Sequence, residues 1–249
     1  MSGHSKWHSI KHKKGAADAK RGKIFTKHAK LITIAAKNGG DPDMNPGLRT
    51  AILNAKADNV PNSNIEKSIK KGSGADKDSA VFVEVTYEGY GPEGTAVLVE
   101  VLTDNKNRSV TNVKNIINKN GGKMGESGTV GWKFDRKGVI LIKLGDKDPE
   151  EAELEIIDAG ADDLSLKENV FEVLTQTTDL MKVKDNLEKA GFEIIKAELS
   201  YLAKDTVNID SVDKAKKVLN FIDLLEDDED VNNVFTDFDI PEEVLESMV

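Results

Sequence analysis

The 249 residues contain no cysteine, which excludes disulfides, thiolate-held zinc and cysteine nucleophiles together and fits a cytoplasmic setting. Aromatics are scarce at 5%, with two tryptophans, and there are only six prolines. No apolar run approaches the roughly 18 residues of a membrane span. The basic start MSGHSKWHSIKHKKG lacks the apolar core of a secretory signal, so neither export nor a membrane partner is expected. Acid is nearly absent from the first 40 residues, where Asp18 stands against ten Lys or Arg. The hydrophobic share of 38%, with 20 glycines beside it, still falls in the globular range. Length allows one to three domains at about 150 residues each.

What is present is charge polarity. Residues 1–76 hold 15 Lys and Arg against six acids, and residues 77–249 hold 20 against 38. The overall −9 therefore conceals a head of +9 and a body of −18. A cationic head of this kind suits phosphates.

Periodicity gives the organisation. Residues 17–37 read as a helix stopped by Asn38-Gly39-Gly40. At about 100° per residue, Lys20, Lys23, Lys27, Lys30 and Lys37 share one arc, and Ile24, Phe25, Leu31, Ile32, Ala35 and Ala36 fill the next. No acid stands at i+4 to neutralise the lysines. A second helix starts at Pro46 with Asn45 as its cap, and a third starts from the capping box Ser63-x-x-Glu66 and stops at Gly72. After a linker at 72–79 the period becomes two. Strands are expected at 81–87 and 95–101, a helix at 109–120, and a hairpin of 130–134 with 139–143 around a turn at 135–138. A β-α-β-β-α-β order follows over 139–202, the ferredoxin-like pattern. A helix at 211–225 and a strand at 233–238 then return to the sheet begun at Val81. The expected fold is α+β and multidomain, a helical bundle followed by two ferredoxin-like-type α/β domains with the third inserted in the second. The boundaries are 1–76 for the basic head, 80–136 plus 205–240 for the middle domain, 137–204 for the inserted domain, and 241–249 for an acidic tail.

Motifs for catalysis are missing: there is no GxSxG elbow, no HExxH and no DxDxDG loop. In the glycine-rich stretch 121–131, Gly122-Lys123 is followed by Met124 and preceded at the required spacing by Ile117, so the P-loop pattern fails on both sides and a helix-to-strand loop is expected. His4, His8 and His12 share i, i+4, i+8 spacing, but Lys6, Lys11, Lys13 and Lys14 crowd them and no carboxylate balances a dication. The acidic run 226–230, with Asp237, Asp239, Glu242 and Glu243, reads as a solvated face rather than a hard-cation site, or as a shield for the basic head. No enzyme, metal, cofactor or small-molecule substrate is expected. The candidate nucleic-acid contacts are Lys6, Trp7, Lys11, Lys13, Lys14, Lys20, Arg21, Lys23, Lys27, Lys30 and Lys37. Trp7 is suited to stacking on a base or to packing on the bundle. A second candidate contact is the helix N-terminus at Asn105, Lys106 and Arg108, where plain capping explains the asparagine equally well.

Several blocks of the sequence carry a resemblance. GHSKW at 3–7, DAKRGKIFTKHAKLITIAAKNGG at 18–40, DPDMNPGLRTAILNAKADNVP at 41–61, VTYEGYGPEG at 85–94, LTDNKNRS at 102–109 and GTVGWKFDRKGVI at 128–140 are similar to YebC-type proteins. The resemblance implies a helical N-terminal domain with two α/β domains, in a cytoplasmic, non-enzymatic regulator of transcription that binds duplex DNA. Through the mitochondrial relatives it also implies work on translation, with the ribosome or ribosomal RNA as partner and elongation through consecutive prolines as the task. Glu93 stands where the family usually has glycine, and Lys114 where it usually has arginine. No helix displays the clustered Arg, Asn and Gln that base readout prefers, so phosphate and shape are the expected currency of recognition.

Overall fold

The computed structural model describes residues 17–74 and 82–248, with side chains from Arg21 onward. Lys6, Trp7, Lys11, Lys13, Lys14, the three N-terminal histidines, the Lys20 side chain and most of the expected linker lie outside the described residues. Of the described chain, residues 17–23, 82–135 and 202–248 belong to one compact unit, and residues 24–74 and 136–201 to another.

The head begins with α1 (Ala17–Ala35), tightened by a 3₁₀ turn (Ala36–Asn38), then α2 (Pro46–Ala57) and α3 (Asn62–Gly72). Asn45 joins the first two. Its side chain accepts from the Leu48 amide at 3.0 Å and donates to the carbonyls of Ala35 and Gly39 at 2.8 Å each, capping one helix while satisfying the end of the other. Ile32, Ala36, Leu48, Ala55, Val60 and Ile65 form the core of this bundle. The expected Ser63–Glu66 capping box is not formed: α3 starts two residues earlier than that cap implies, at Asn62 after Pro61, with no side-chain cap. Pro61 takes over because its fixed φ sets the chain for helix entry and its carbonyl accepts the Asn64 and Ile65 amides. In the same unit, Asn54 of α2 exchanges two hydrogen bonds with the backbone of Ala197, giving 2.8 Å and receiving 3.1 Å.

Residues 136–201 carry the second sheet, order β5-β6-β4-β7, built from β4 (Phe134–Lys143), β5 (Asp163–Lys167), β6 (Val170–Thr175) and β7 (Glu193–Ala203). Helices α5 (Pro149–Asp158) and α6 (Leu180–Lys189) bury Ile156, Val183 and Leu187 against Ile140, Ile142, Phe171 and Val173. Strand order and helix placement follow the ferredoxin-like pattern. The expected hairpin at 130–143 is corrected: β4 runs through 135–138 without a turn, and residues 131–133 form a 3₁₀ turn instead. Gly138 marks a close approach rather than a reversal. It pairs with Thr175, and a Cβ there would lie 2.3 Å from the Thr175 hydroxyl.

The other unit has the sheet β3-β1-β2-β9, from β1 (Val83–Tyr90), β2 (Ala96–Thr103), β3 (Lys123–Met124) and β9 (Val231–Thr236). It opens on the β1–β2 hairpin, and α4 (Lys106–Lys119) and α7 (Val212–Glu226) cover it. Every residue of β2 is buried, as a central strand requires. The strand from Val231 pairs with β2, so the chain returns to its first sheet after the second is complete. A small parallel pair, β8 (Val207–Asn208) with β10 (Phe238–Asp239), closes that return. The segment expected as an acidic tail carries α8 (Glu242–Glu246), whose Leu245 is buried and whose neighbours Val244 and Met248 pack on the core. Those three apolar residues anchor the segment, while its acids face outward. No helix among the described residues is long and apolar enough to cross a membrane.

Candidate nucleic-acid interface

The lysine arc of α1 is not bare. Lys23 donates to the Asp227 carboxylate at 2.8 Å and to its carbonyl at 3.0 Å, at the C-terminal end of α7. Lys27 and Lys30 are half-buried, Lys37 is exposed, and each has an interaction within the chain. Arg21 is exposed. The expectation of unneutralised lysines is thus corrected. Lys23's partner lies 204 residues away, where an i+4 rule cannot see it. His28, on the same helix, is tied to the fold. It is buried, with Nε2 2.6 Å from Asp58 Oδ2. The hydrogen bond with His28 holds the Asp58 carboxyl below its ordinary value against the opposing effect of burial, and the charges of His28, Lys196 and Lys27 add to it.

The second candidate contact divides. Asn105 caps α4, accepting from the Arg108 amide at 3.1 Å. Arg108 gives Nε and Nη2 to a single oxygen of Asp230, at 3.0 and 2.7 Å, and Nη2 also reaches Asp104 at 3.0 Å. These bonds, Asp230's first, raise the guanidinium pKa further. Lys106 is exposed on the first turn. The structure therefore brings Asn105 and Arg108 together as a cap and a clamp on the fold, with Lys106 on the surface beside them.

The acidic residues divide: Asp227, Glu229, Glu242 and Glu243 are exposed, while others are built into the fold. Asp230 is 4% exposed beneath Arg108, and Asp228 accepts from Asn112 at 3.0 Å. Asp237 is fully buried, accepting from the Ala96 amide and from Lys133 at 2.7 Å each. Among the described residues no group of His, Asp and Glu is placed to hold a metal ion.

The glycine-rich stretch does form an anion cradle, and the chain fills it itself. Glu88 of β1 accepts three backbone N–H groups at 2.8 Å: Gly128 on one oxygen, Val130 and Gly131 on the other. Gly128 has φ +88°, the left-handed turn that aims these amides inward. Burial pushes the Glu88 carboxyl up, but the three amides outweigh it and hold the pKa below its ordinary value. A phosphate cradle is excluded here by occupancy. Sequence reasoning missed Glu88, although a loop with glycines at 125, 128 and 131 was the signal that backbone amides would converge on some anion. It also missed Trp132, which follows this loop and is 64% exposed.

Two family models match the chain: the TACO1/YebC protein N-terminal domain over residues 5–75, and the TACO1/YebC second and third domain over residues 82–238. A protein of Geotalea uraniireducens named "Probable transcriptional regulatory protein" is 52% identical, with all of both chains covered. Relatives carrying the same description in Halothermothrix orenii and Fusobacterium nucleatum are 44% and 47% identical, covering all of this chain and 99% and 100% of their own. The crystal structure of a conserved hypothetical protein from Aquifex aeolicus superposes with a TM-score of 0.83 at 42% identity, over 92% of this chain and 94% of that one. With both its head and its sheet-bearing regions matched, the chain belongs to the TACO1/YebC family.

Proposed function

We propose that this chain is a non-enzymatic regulatory protein that binds duplex DNA through the phosphate backbone, using the cationic segment that runs from Lys6 to Lys37. The names of the relatives support the regulatory role, and one observation carries the mode of action: ten basic residues against one acid in the first 40 positions. Lys6, Lys11, Lys13, Lys14, Lys20 and Arg21 are its leading contacts, with Trp7 beside them. Lys23, Lys27, Lys30 and Lys37 contribute field as well as contact, since each also serves the fold. Asn105 and Arg108 act as structural residues in this reading, and Lys106 remains a peripheral contact.

A second reading places the same segment on ribosomal RNA, in a protein that acts on translation. It is favoured by the lack of a helix suited to base readout, because phosphate contact alone does not distinguish duplexes by sequence. Salt titration tests both. If about six cations engage phosphate, duplex binding should fall with a log–log slope of roughly −5. Charge reversal of Lys11, Lys13 and Lys14 to Glu should remove most of that slope and leave the melting temperature unchanged. A slope near zero in the wild type, on duplex and on structured RNA alike, overturns the assignment.

A further inference from the structure

Trp132 is an unusual use of a scarce residue. One of two tryptophans in the chain, it stands 64% exposed on a turn, while the cores are closed by Phe171, Phe221 and Phe238. Its only polar atom is already satisfied, since Nε1 donates to the Thr129 carbonyl at 3.2 Å. What it offers outward is therefore ring face, not a hydrogen-bond donor.

The backbone that carries the ring is held by hydrogen bonds. The preceding turn is fixed by Glu88 through the amides of Gly128, Val130 and Gly131, and by the Gly125 amide on the Glu88 carbonyl at 2.8 Å. Val130 and Phe134 on either side are buried, and Lys133 is tied to buried Asp237. A large apolar side chain kept exposed on a rigid support loses little conformational entropy when something stacks on it.

Charge and size point to the occupant. The body as a whole is acidic, yet residues 106–135 hold six Lys or Arg against two acids. Lys119 and Lys123, both exposed, lead from the end of α4 through β3 into the loop that Glu88 holds. The neighbours of Trp132 in sequence are Gly131 and Lys133, and among the described residues the other large apolar side chains left exposed are Ile24, Met44, Leu154, Ile157 and Leu224, all on other segments. A single exposed ring face, on a segment that also exposes Lys119 and Lys123, matches one planar base of a polyanion and falls short of the contiguous apolar patch that a protein interface needs.

We propose that Trp132 is a stacking platform for an unpaired base of a single-stranded nucleic acid, whose phosphates run along the exposed Lys119 and Lys123. The proposal rests on the nucleic-acid reading of the head and adds a second contact, of different chemistry, on the other side of the chain's charge divide. Stacking is sequence-tolerant because every base has a π face, so no motif is implied.

The test uses the full chain with Trp7→Phe, which leaves Trp132 as the only indole. Twelve-residue oligouridine RNA, its DNA counterpart and a blunt duplex of the same length are titrated in turn. Trp132 emission should be quenched by both single strands and much less by the duplex; quenching by RNA alone would assign the platform to RNA. Trp132→Ala should weaken single-strand binding roughly ten-fold or more with an unchanged melting temperature, and Trp132→Phe should keep most of the affinity, since a face suffices. Undiminished single-strand binding by Trp132→Ala, or quenching by the duplex as strong as by single strands, overturns the platform. If charge reversal at Lys11, Lys13 and Lys14 removes binding while Trp132→Ala does not, the platform falls and the head stands. If no nucleic acid binds at low salt, both fall.

Discussion

The chain carries two blocks of like charge, and the described residues use them in opposite ways. In the body, two acids that read as a solvated surface are built into the fold, Asp237 fully buried against Lys133 and the Ala96 amide and Asp230 under Arg108, and a third acid, Glu88, organises a loop. In the head, Lys23 makes a contact whose two side chains remain 46% and 64% exposed. A buried carboxylate is worth keeping only when its lone pairs are satisfied, whereas a lysine on a long stem keeps its charge at the surface. Equal-looking charge runs thus separate into an internal scaffold and an outward field. The lesson is that accessible charge, rather than counted charge, identifies a partner surface.

The largest effect expected from breaking the scaffold is at Asp237. Asp237→Ala strips the acceptor from the half-buried Lys133 ammonium and from the buried Ala96 amide, and should destabilise the unit that contains β2 and β9 by about 3 kcal/mol. Chemical denaturation of the variant measures it. A loss below about 1 kcal/mol would mean that Asp237 is no more structural than the surface lysines.

Next comes Glu88. Glu88→Ala should cost about 2 kcal/mol, by leaving three convergent amides without their acceptor. The pH dependence has a definite sign. Because the folded carboxyl sits below its ordinary value of 4.5, its contribution is complete above that pH and is lost as pH falls through the depressed folded value. Wild type should therefore lose its advantage over Glu88→Ala as the solution is acidified below about 4.5, the unfolded value that the shift starts from. A stability difference that does not change with pH would show the loop to be held by something else.

Much of this architecture was legible in the sequence, and the misses share a cause. Apolar periodicity located the helices of the head and the βαββαβ order of the inserted sheet, because each of those elements buries a local pattern. Asn45 was legible as a cap because its partner is three residues away. The errors came where the decisive partner is distant. The 135–138 turn reads as a reversal until Thr175 is laid against Gly138, and Lys23 reads as unpaired until Asp227 is placed beside it. In the candidate site, the cationic composition was visible, but the exposed Trp132 was not. Its neighbours on both sides follow a core-forming pattern, and only the saturated Glu88 loop explains why the ring faces outward.

A smaller effect is expected at Glu93, which sits at φ 58° and ψ 18° in the turn between β1 and β2, a conformation glycine adopts without strain. Glu93→Gly should stabilise the chain by up to about 1 kcal/mol. Its exposed partner Lys217, 3.7 Å away, offsets little of that gain. Thermal denaturation decides it, and destabilisation by the glycine would assign the acid a structural role like that of Asp237.

The smallest effect sharpens the contrast most, because it lies where the two blocks touch. Lys23 and Asp227 form a short but exposed pair at the C-terminal end of α7, so each partner is hydrated and free to relax when the other is removed. A double-mutant cycle with Lys23→Ala and Asp227→Ala should give a coupling of about 0.5 kcal/mol, fading in 1 M salt as an exposed pair does. The carbonyl contact from Lys23 adds helix-end charge to the pair but does not bury it. A coupling above about 2 kcal/mol that survives high salt would place Lys23 with the scaffold carboxylates, and would move the head's outward field to the residues before it.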